Sequence, residues 1–148
     1  MNDAAKRYIH EAEITVDRIR ESVTKTGSIT AAEAGDLFRF GYEYPLKAIV
    51  AEKFGSVPNS FQIHPLGTLA DRIGLAPFIP SDVSSGMAQV EGWHMAYPDQ
   101  KAFNTLINSS TAQEWLTVIQ AAEHHKNFIV TEVLSSGSDI YPQLFAQK

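Results

Sequence analysis

There is no cysteine anywhere in the 148 residues. Structural disulfides, thiolate zinc sites and cysteine nucleophiles are therefore excluded, and the usage fits a reducing, cytoplasmic setting. Also missing is any apolar run near the ~20 residues that a membrane span needs. The stretch MNDAAKRYIHEAE is charged and carries neither an apolar core nor a small-residue cleavage site, so it does not read as a signal peptide. No Gly-x-Ser-x-Gly elbow, Walker-type glycine loop or Gly-x-Gly-x-x-Gly occurs, which removes familiar nucleophile and phosphate-cradle signatures. Positive charge is scarce: 12 Lys and Arg stand against 17 Asp and Glu, for a net charge of −5. That balance argues against an extended nucleic-acid surface while leaving room for a local basic patch. The length suits one domain, residues 1–148, which can bury a core without staples.

Amphipathic periodicity is what the chain has in quantity. Ile9, Ala12, Val16, Ile19 and Val23 recur at spacings of three and four, which predicts a helix over 4–25, with Gly27 as its stop signal. Thr30-x-x-Glu33 reads as a capping box opening the next helix. The stretch DLFRFGYEYPLKAIVAEKFG is ambiguous at first sight. Phe38, Phe40, Tyr42 and Tyr44 alternate as in a strand, whereas Leu46, Ile49, Val50 and Phe54 keep a helical beat. The polar residues decide. Asp36, Arg39, Glu43 and Lys47 fall in one narrow sector of a helix with alternating sign, but would be split across two faces of a strand. The segment is thus predicted as a helix with apolar residues on nearly all its remaining circumference, the buried centre of a bundle. Pro45 removes a backbone donor and crowds the carbonyl of Gly41, so a kink or short break is expected near 41–45.

Further helices are predicted over the PLGTLADRIGL segment, over 82–95 with Val83, Met87, Val90 and His94 in line, and over Gln100–Asn108. Another starts at Thr111-x-x-Glu114 and aligns Trp115, Ile119, Ala122, Ile129 and Val133. Lys126 intrudes on that last stripe, so either the helix breaks near His124-His125-Lys126 or the lysine snorkels to water. The β-branched run FIVTEVL leaves a strand open at 128–134. Residues 135–148 read as a tail. The fold class is all-α: a single-domain, up-and-down bundle of five or six helices, with the bundle proper over 4–134.

Chemistry-bearing residues are sparse. His124 and His125 diverge by about 100° on a helix and cannot both ligate one metal from that face, which leaves one half-buried and one solvated. Glu91-x-x-His94 matches one half of a di-iron motif, but no second Glu-x-x-His accompanies it, so no metal and no cofactor are expected. Tyr42, Trp93 and Tyr97 are aromatics that border polar residues and offer stacking faces, although aromatics in such a chain are mostly core.

The order of elements resembles a family. GYEYPLKAIVAEKFGSVP followed by QIHPLGTLADRIGL, with Leu46-Lys47-Ala48, His64-Pro65-Leu66 and Leu69–Leu75, and then AYPDQKAF, is similar to the HEPN domains. It is similar too to the substrate-binding partners of minimal nucleotidyltransferases. The resemblance covers 4–134. It implies a dimerising bundle that binds a nucleotide or a partner protein. The Arg and His of its ribonuclease members, four to six residues apart, have no counterpart here, and Ala96 stands where many relatives carry arginine before Tyr-Pro. The resemblance therefore implies a non-catalytic interaction module, with a groove at Tyr42, Lys47, His64, His94 and Tyr97. Two other functions fit the sequence: an acidic, immunity-type inhibitor masking a basic toxin or nuclease, and a small enzyme using His94 with Glu91 or Asp99.

Overall fold

Where apolar residues recur at helical spacing, helices form. The computed structural model describes residues 1–96 and 99–145, and among them six helical rods and no strand are found. We number them α1 (Asp3–Thr26), α2 (31–54), α3 (Leu66–Ile73), α4 (Ser81–Ala96), α5 (Gln100–Ser109) and α6 (112–133). The all-α helical bundle read from the sequence is what the chain adopts.

The termini obey the local chemistry. The Asn2 side chain accepts from the Ala5 amide at the start of α1, and Gly27 closes that helix in the left-handed conformation, φ 73°. Thr30 with Glu33, and Thr111 with Glu114, make complete capping boxes at the starts of α2 and α6. The stripe Ile9, Ala12, Val16, Ile19 and Val23 is buried, as is Trp115, Ile119, Ala122, Ile129 and Val133 on α6.

α2 is the spine. α1 packs along it and along α6, α4 lies against its middle and against α6, and α3 covers its C-terminal half. Leu46, Ala48, Ile49 and Val50 are fully buried, as a helix walled in on nearly all sides must be. Of the kink or short break expected near 41–45, no break occurs: α2 is continuous, and its distortion is a π-wound stretch, Leu37–Glu43, directly before Pro45. A wider turn moves the preceding carbonyls away from the proline ring and accommodates the missing N–H without ending the helix. Gly41 sits where the spine crosses its neighbours; a Cβ there would lie 3.5 Å from both Val16 and Ala122.

The choice between helix and strand left open at 128–134 falls to helix. Residues Ile129–Val133 continue α6 as a second π-wound stretch, because their β-branched side chains Ile129 and Val133 belong to the stripe that α6 buries. Lys126 does not break α6. Its ammonium reaches Glu13 of α1 at 2.9 Å, which resolves the intrusion as a cross-helix ion pair. The tail docks: the Phe145 amide donates to the Ile73 carbonyl at 2.9 Å, and the Phe145 ring meets Phe54 and Phe61 edge-on. No helix among the described residues is long and apolar enough to cross a membrane.

Candidate functional site

The strip of alternating charge on α2 borders a cleft, its Glu43 and Lys47 end buried and Arg39 exposed. Asp36, Arg39, Glu43 and Lys47 all line one cleft of about 650 Å³. Phe38 of the same helix, Trp93 and His94 of α4, Phe103 of α5, and His64 from the loop after α2 complete its working surface. At one end Ala31, Ala32 and Gly35 keep it open by having so little side chain.

Electrostatically the cleft is graded from floor to rim. Glu43 is 4% exposed, an unusual burial for a carboxylate. Its Oε2 lies 2.7 Å from Lys47 Nζ, one helical turn on, and the lysine side chain is itself largely buried. Two charges in so dry a place carry a desolvation cost that their attraction offsets only with close geometry. Glu43 Oε1 lies 4.0 Å from Nδ1 of His64, a longer contact than the one to Lys47. Asp36 is spoken for by Arg18 at 3.0 Å. Arg39 is exposed and pairs with no carboxylate of the described residues; its guanidinium stands 6.0 Å over the Phe40 ring. The imidazole of His94 lies flat on Phe38, 4.1 Å between ring centres and 6° between planes, and is exposed on its other side. Trp93 is held against Trp115 at 3.7 Å, and its indole N–H is buried without a hydrogen-bond partner in the cleft wall.

Of the five residues singled out in the sequence, Lys47, His64 and His94 share this cleft. Tyr42 does not: it is fully buried on another side of the spine, where its hydroxyl donates to the Val118 carbonyl at 2.6 Å. Tyr97 lies outside the described residues. Glu91 is turned from His94. Its Oε1 accepts the Leu66 amide at 2.9 Å, capping α3, and its side chain lines a different groove. Asp99, the other carboxylate considered with His94, caps α5 through the Ala102 amide. Among the described residues no three His, Asp or Glu side chains cluster as metal ligands.

Sequence reasoning passed over Arg39, Glu43 and Phe38 as site residues, and weighed Trp93 only as a stacking face. A signal for the first two was present. A charged strip on a helix otherwise apolar all round has to face either water or a cleft, and α4 and α5 turn out to form the other side of one.

The remaining histidines serve the scaffold. His125 is fully buried rather than half-buried, and Nε2 donates to the Tyr42 carbonyl at 3.0 Å, which fixes the tautomer and leaves Nδ1 without a partner. Burial pushes its pKa down to about 4, against the opposing pull of that hydrogen bond. His124 points outward and meets Asp82 of α4 at 2.8 Å. The hydrogen bond from His124 holds the Asp82 carboxyl below its ordinary range.

The chain matches no family model, no curated protein and no solved structure. The HEPN resemblance thus rests on the order of sequence elements.

Proposed function

We propose that this chain is a binding module of HEPN-like type whose cleft on α2 takes a nucleotide. One observation carries the reading: Arg39, Lys47, His64 and His94 converge on a single cleft that also presents the Phe38–His94 stack. A nucleotide needs both features, a cation for its phosphate and a flat face for its base. Arg39 is the phosphate-directed group. Lys47, a groove residue in the resemblance, is engaged by Glu43 and shapes the floor instead. His94, rigidified from behind by Phe38, is the stacking platform. The volume is in the range of small-molecule sites. A second copy of the chain or a partner protein is the natural reader of such a ligand, as the resemblance implies.

The test is thermal unfolding of the purified protein with AMP, GMP, ATP and GTP. A ligand at ten times its Kd adds about 1.4 kcal/mol, a rise of roughly 3 to 6 °C for a domain of this length. Arg39→Ala and His94→Ala each reduce the shift. No rise with any of the four at millimolar concentration removes the nucleotide reading.

A further inference from the structure

The tail does more than cover one end of the bundle. Among the described residues Phe145 alone, glycines aside, stands in the left-handed region, φ 59°. That conformation is sterically costly for any residue with a Cβ and persists only where the surroundings impose it. Here Leu144 is buried, the Phe145 ring stands edge-on to Phe54 at 5.5 Å and to Phe61 at 5.7 Å, and Lys53 Nζ lies 6.0 Å over the same ring. The Phe145 amide caps the Ile73 carbonyl, which the end of α3 leaves without an intrahelical partner. The hydrogen bonds of residues 138–144 run within the tail or back to Glu132 at the end of α6. One backbone bond therefore joins the tail to α3. An aromatic residue seated with strain, on so few polar ties, makes a strap that can release.

What the strap holds is the loop that reaches the cleft. Of residues 55–65 only Phe61 is buried, with Val57, Pro58 and Ile63 half-buried, and the Phe61 ring packs against both Phe54 and Phe145. The backbone bonds around Phe61 are local, from Phe61 to Pro58 and from Gln62 to Asn59, and Arg72 adds one side-chain bond to the Ser60 carbonyl. Three residues beyond Phe61 stands His64, which lines the cleft and lies 4.0 Å from Glu43. Its exposed ring takes its place from the loop, the loop from Phe61, and Phe61 in part from the tail. Resting on the nucleotide reading of this same cleft, we infer that the tail is a strap that regulates it. Docked, Phe145 fixes Phe61 and so keeps His64 at the edge of the cleft. Released, it frees the loop and lowers the affinity for nucleotide. Phe145 is thus a positioning residue that acts through His64. By linkage a bound nucleotide favours the docked strap to the same degree.

The experiment reads amide hydrogen exchange and nucleotide affinity on the intact chain. Phe145→Ala should speed exchange in residues 55–65 as well as in 139–145, with no nucleotide present. Its affinity for whichever of AMP, GMP, ATP and GTP raises the melting temperature most should fall roughly three- to tenfold, the net worth of about one hydrogen bond. Phe145→Tyr, which keeps the edge-on ring, should match the wild type in both readouts. In a His64→Ala background Phe145→Ala should change affinity no further, since the strap acts through that side chain. Phe145→Gly also loses the ring but fits the left-handed position, so it should hold the tail better than Phe145→Ala. Exchange in 55–65 that ignores Phe145→Ala, equal affinity of wild type and Phe145→Ala, an affinity loss of the same size with and without His64, or a tail held no better by glycine than by alanine overturns the strap. Absence of binding by all four nucleotides overturns the nucleotide reading and the control of affinity with it, while exchange, read without ligand, judges the hold on the loop by itself.

Discussion

Tyr42 and Glu43 are neighbours on the spine, both polar and both buried, yet they meet opposite conditions. Tyr42 turns toward α6, where its hydroxyl and its carbonyl both find fixed partners, Val118 and His125. Glu43 turns into the cleft, where one oxygen is paired with Lys47 at 2.7 Å and the other stands 4.0 Å from the exposed ring of His64. The same contrast separates His125 from His124, the first sealed in the core and the second at the surface with Asp82. In each case one residue of helical rotation moves a side chain from a place where geometry is fixed by packing to one where it is open to a partner. The polar groups on the α6 side hold the bundle together. Those on the cleft side are held by it.

Acid should break the α6 side first. His125 is neutral when folded, with its pKa pushed down to about 4, whereas an unfolded histidine titrates near 6.5. Above the unfolded value neither state binds the proton and nothing is at stake. As pH falls from about 6.5 to about 4 the unfolded chain takes up a proton that the folded one refuses, so stability is lost on acidification. The expected loss from this group approaches about 3 kcal/mol. Urea unfolding at pH 7 and pH 4.5 on wild type and on His125→Leu measures it; the variant should lack this component. Equal pH dependence in the two proteins would place the buried imidazole in contact with water after all.

A steric probe of the same side comes next. A Cβ on Gly86 of α4 would sit 2.9 Å from Ala121 Cβ and closer still to the Tyr42 hydroxyl. Neither neighbour is free to retreat, since Tyr42 is bonded to Val118 and Ala121 belongs to the α6 backbone wall. Gly86→Ala is expected to cost about 2 kcal/mol, as overpacking does. Gly92, six residues on in the same helix, has nothing within 4 Å of its Cβ position. Gly92→Ala should stabilise by roughly 0.5–1 kcal/mol through helix propensity alone. Opposite signs at two glycines of one helix, read from denaturant midpoints, would confirm that α4 is fitted to the spine on one side and open on the other.

Much of this was legible in the sequence, and the parts that were not share a cause. The six rods, the capping boxes at Thr30 and Thr111, and the buried stripes follow from local spacing. The helix over 36–54 was decided by where four charges fall around it. What local spacing cannot tell is which two faces meet. Tyr42 looked like a groove residue because polar residues flank it in sequence, but flanking residues on a helix point elsewhere. The π winding was hidden for a related reason: Pro45 announces a disturbance, and only the neighbouring helices decide whether the chain breaks or widens. Arg39 and Glu43 were visible as charges and invisible as a cleft, because α4 and α5 supply the other wall.

Removing one hydroxyl isolates the fixed side further. Tyr42→Phe keeps the ring stacked on His125 and deletes only the hydrogen bond to Val118. A loss of about 1 kcal/mol is expected, with nucleotide binding untouched if the two sides of the spine are independent. Changed affinity in Tyr42→Phe would join the two regions and dissolve the comparison.

The smallest effect belongs to the open histidine. The Asp82 carboxylate and His124 ring are both about half exposed, so their attraction is weakened by solvent. Asp82→Asn also alters the first turn of α4, where a negative charge favours the helix dipole by a few tenths of a kcal/mol. Together these give a destabilisation below about 1 kcal/mol, and salt should shrink it, because both contributions act through solvent within a screening length of about 10 Å at 0.1 M. The acid sensitivity carried by His125 should resist salt, since burial and not a neighbouring charge is its main cause. Measuring both effects at low salt and at 1 M separates the two adjacent histidines by mechanism. Were the Asp82→Asn effect to persist undiminished at high salt, the pair would be acting through packing, and α6 would be fixed on both of its sides.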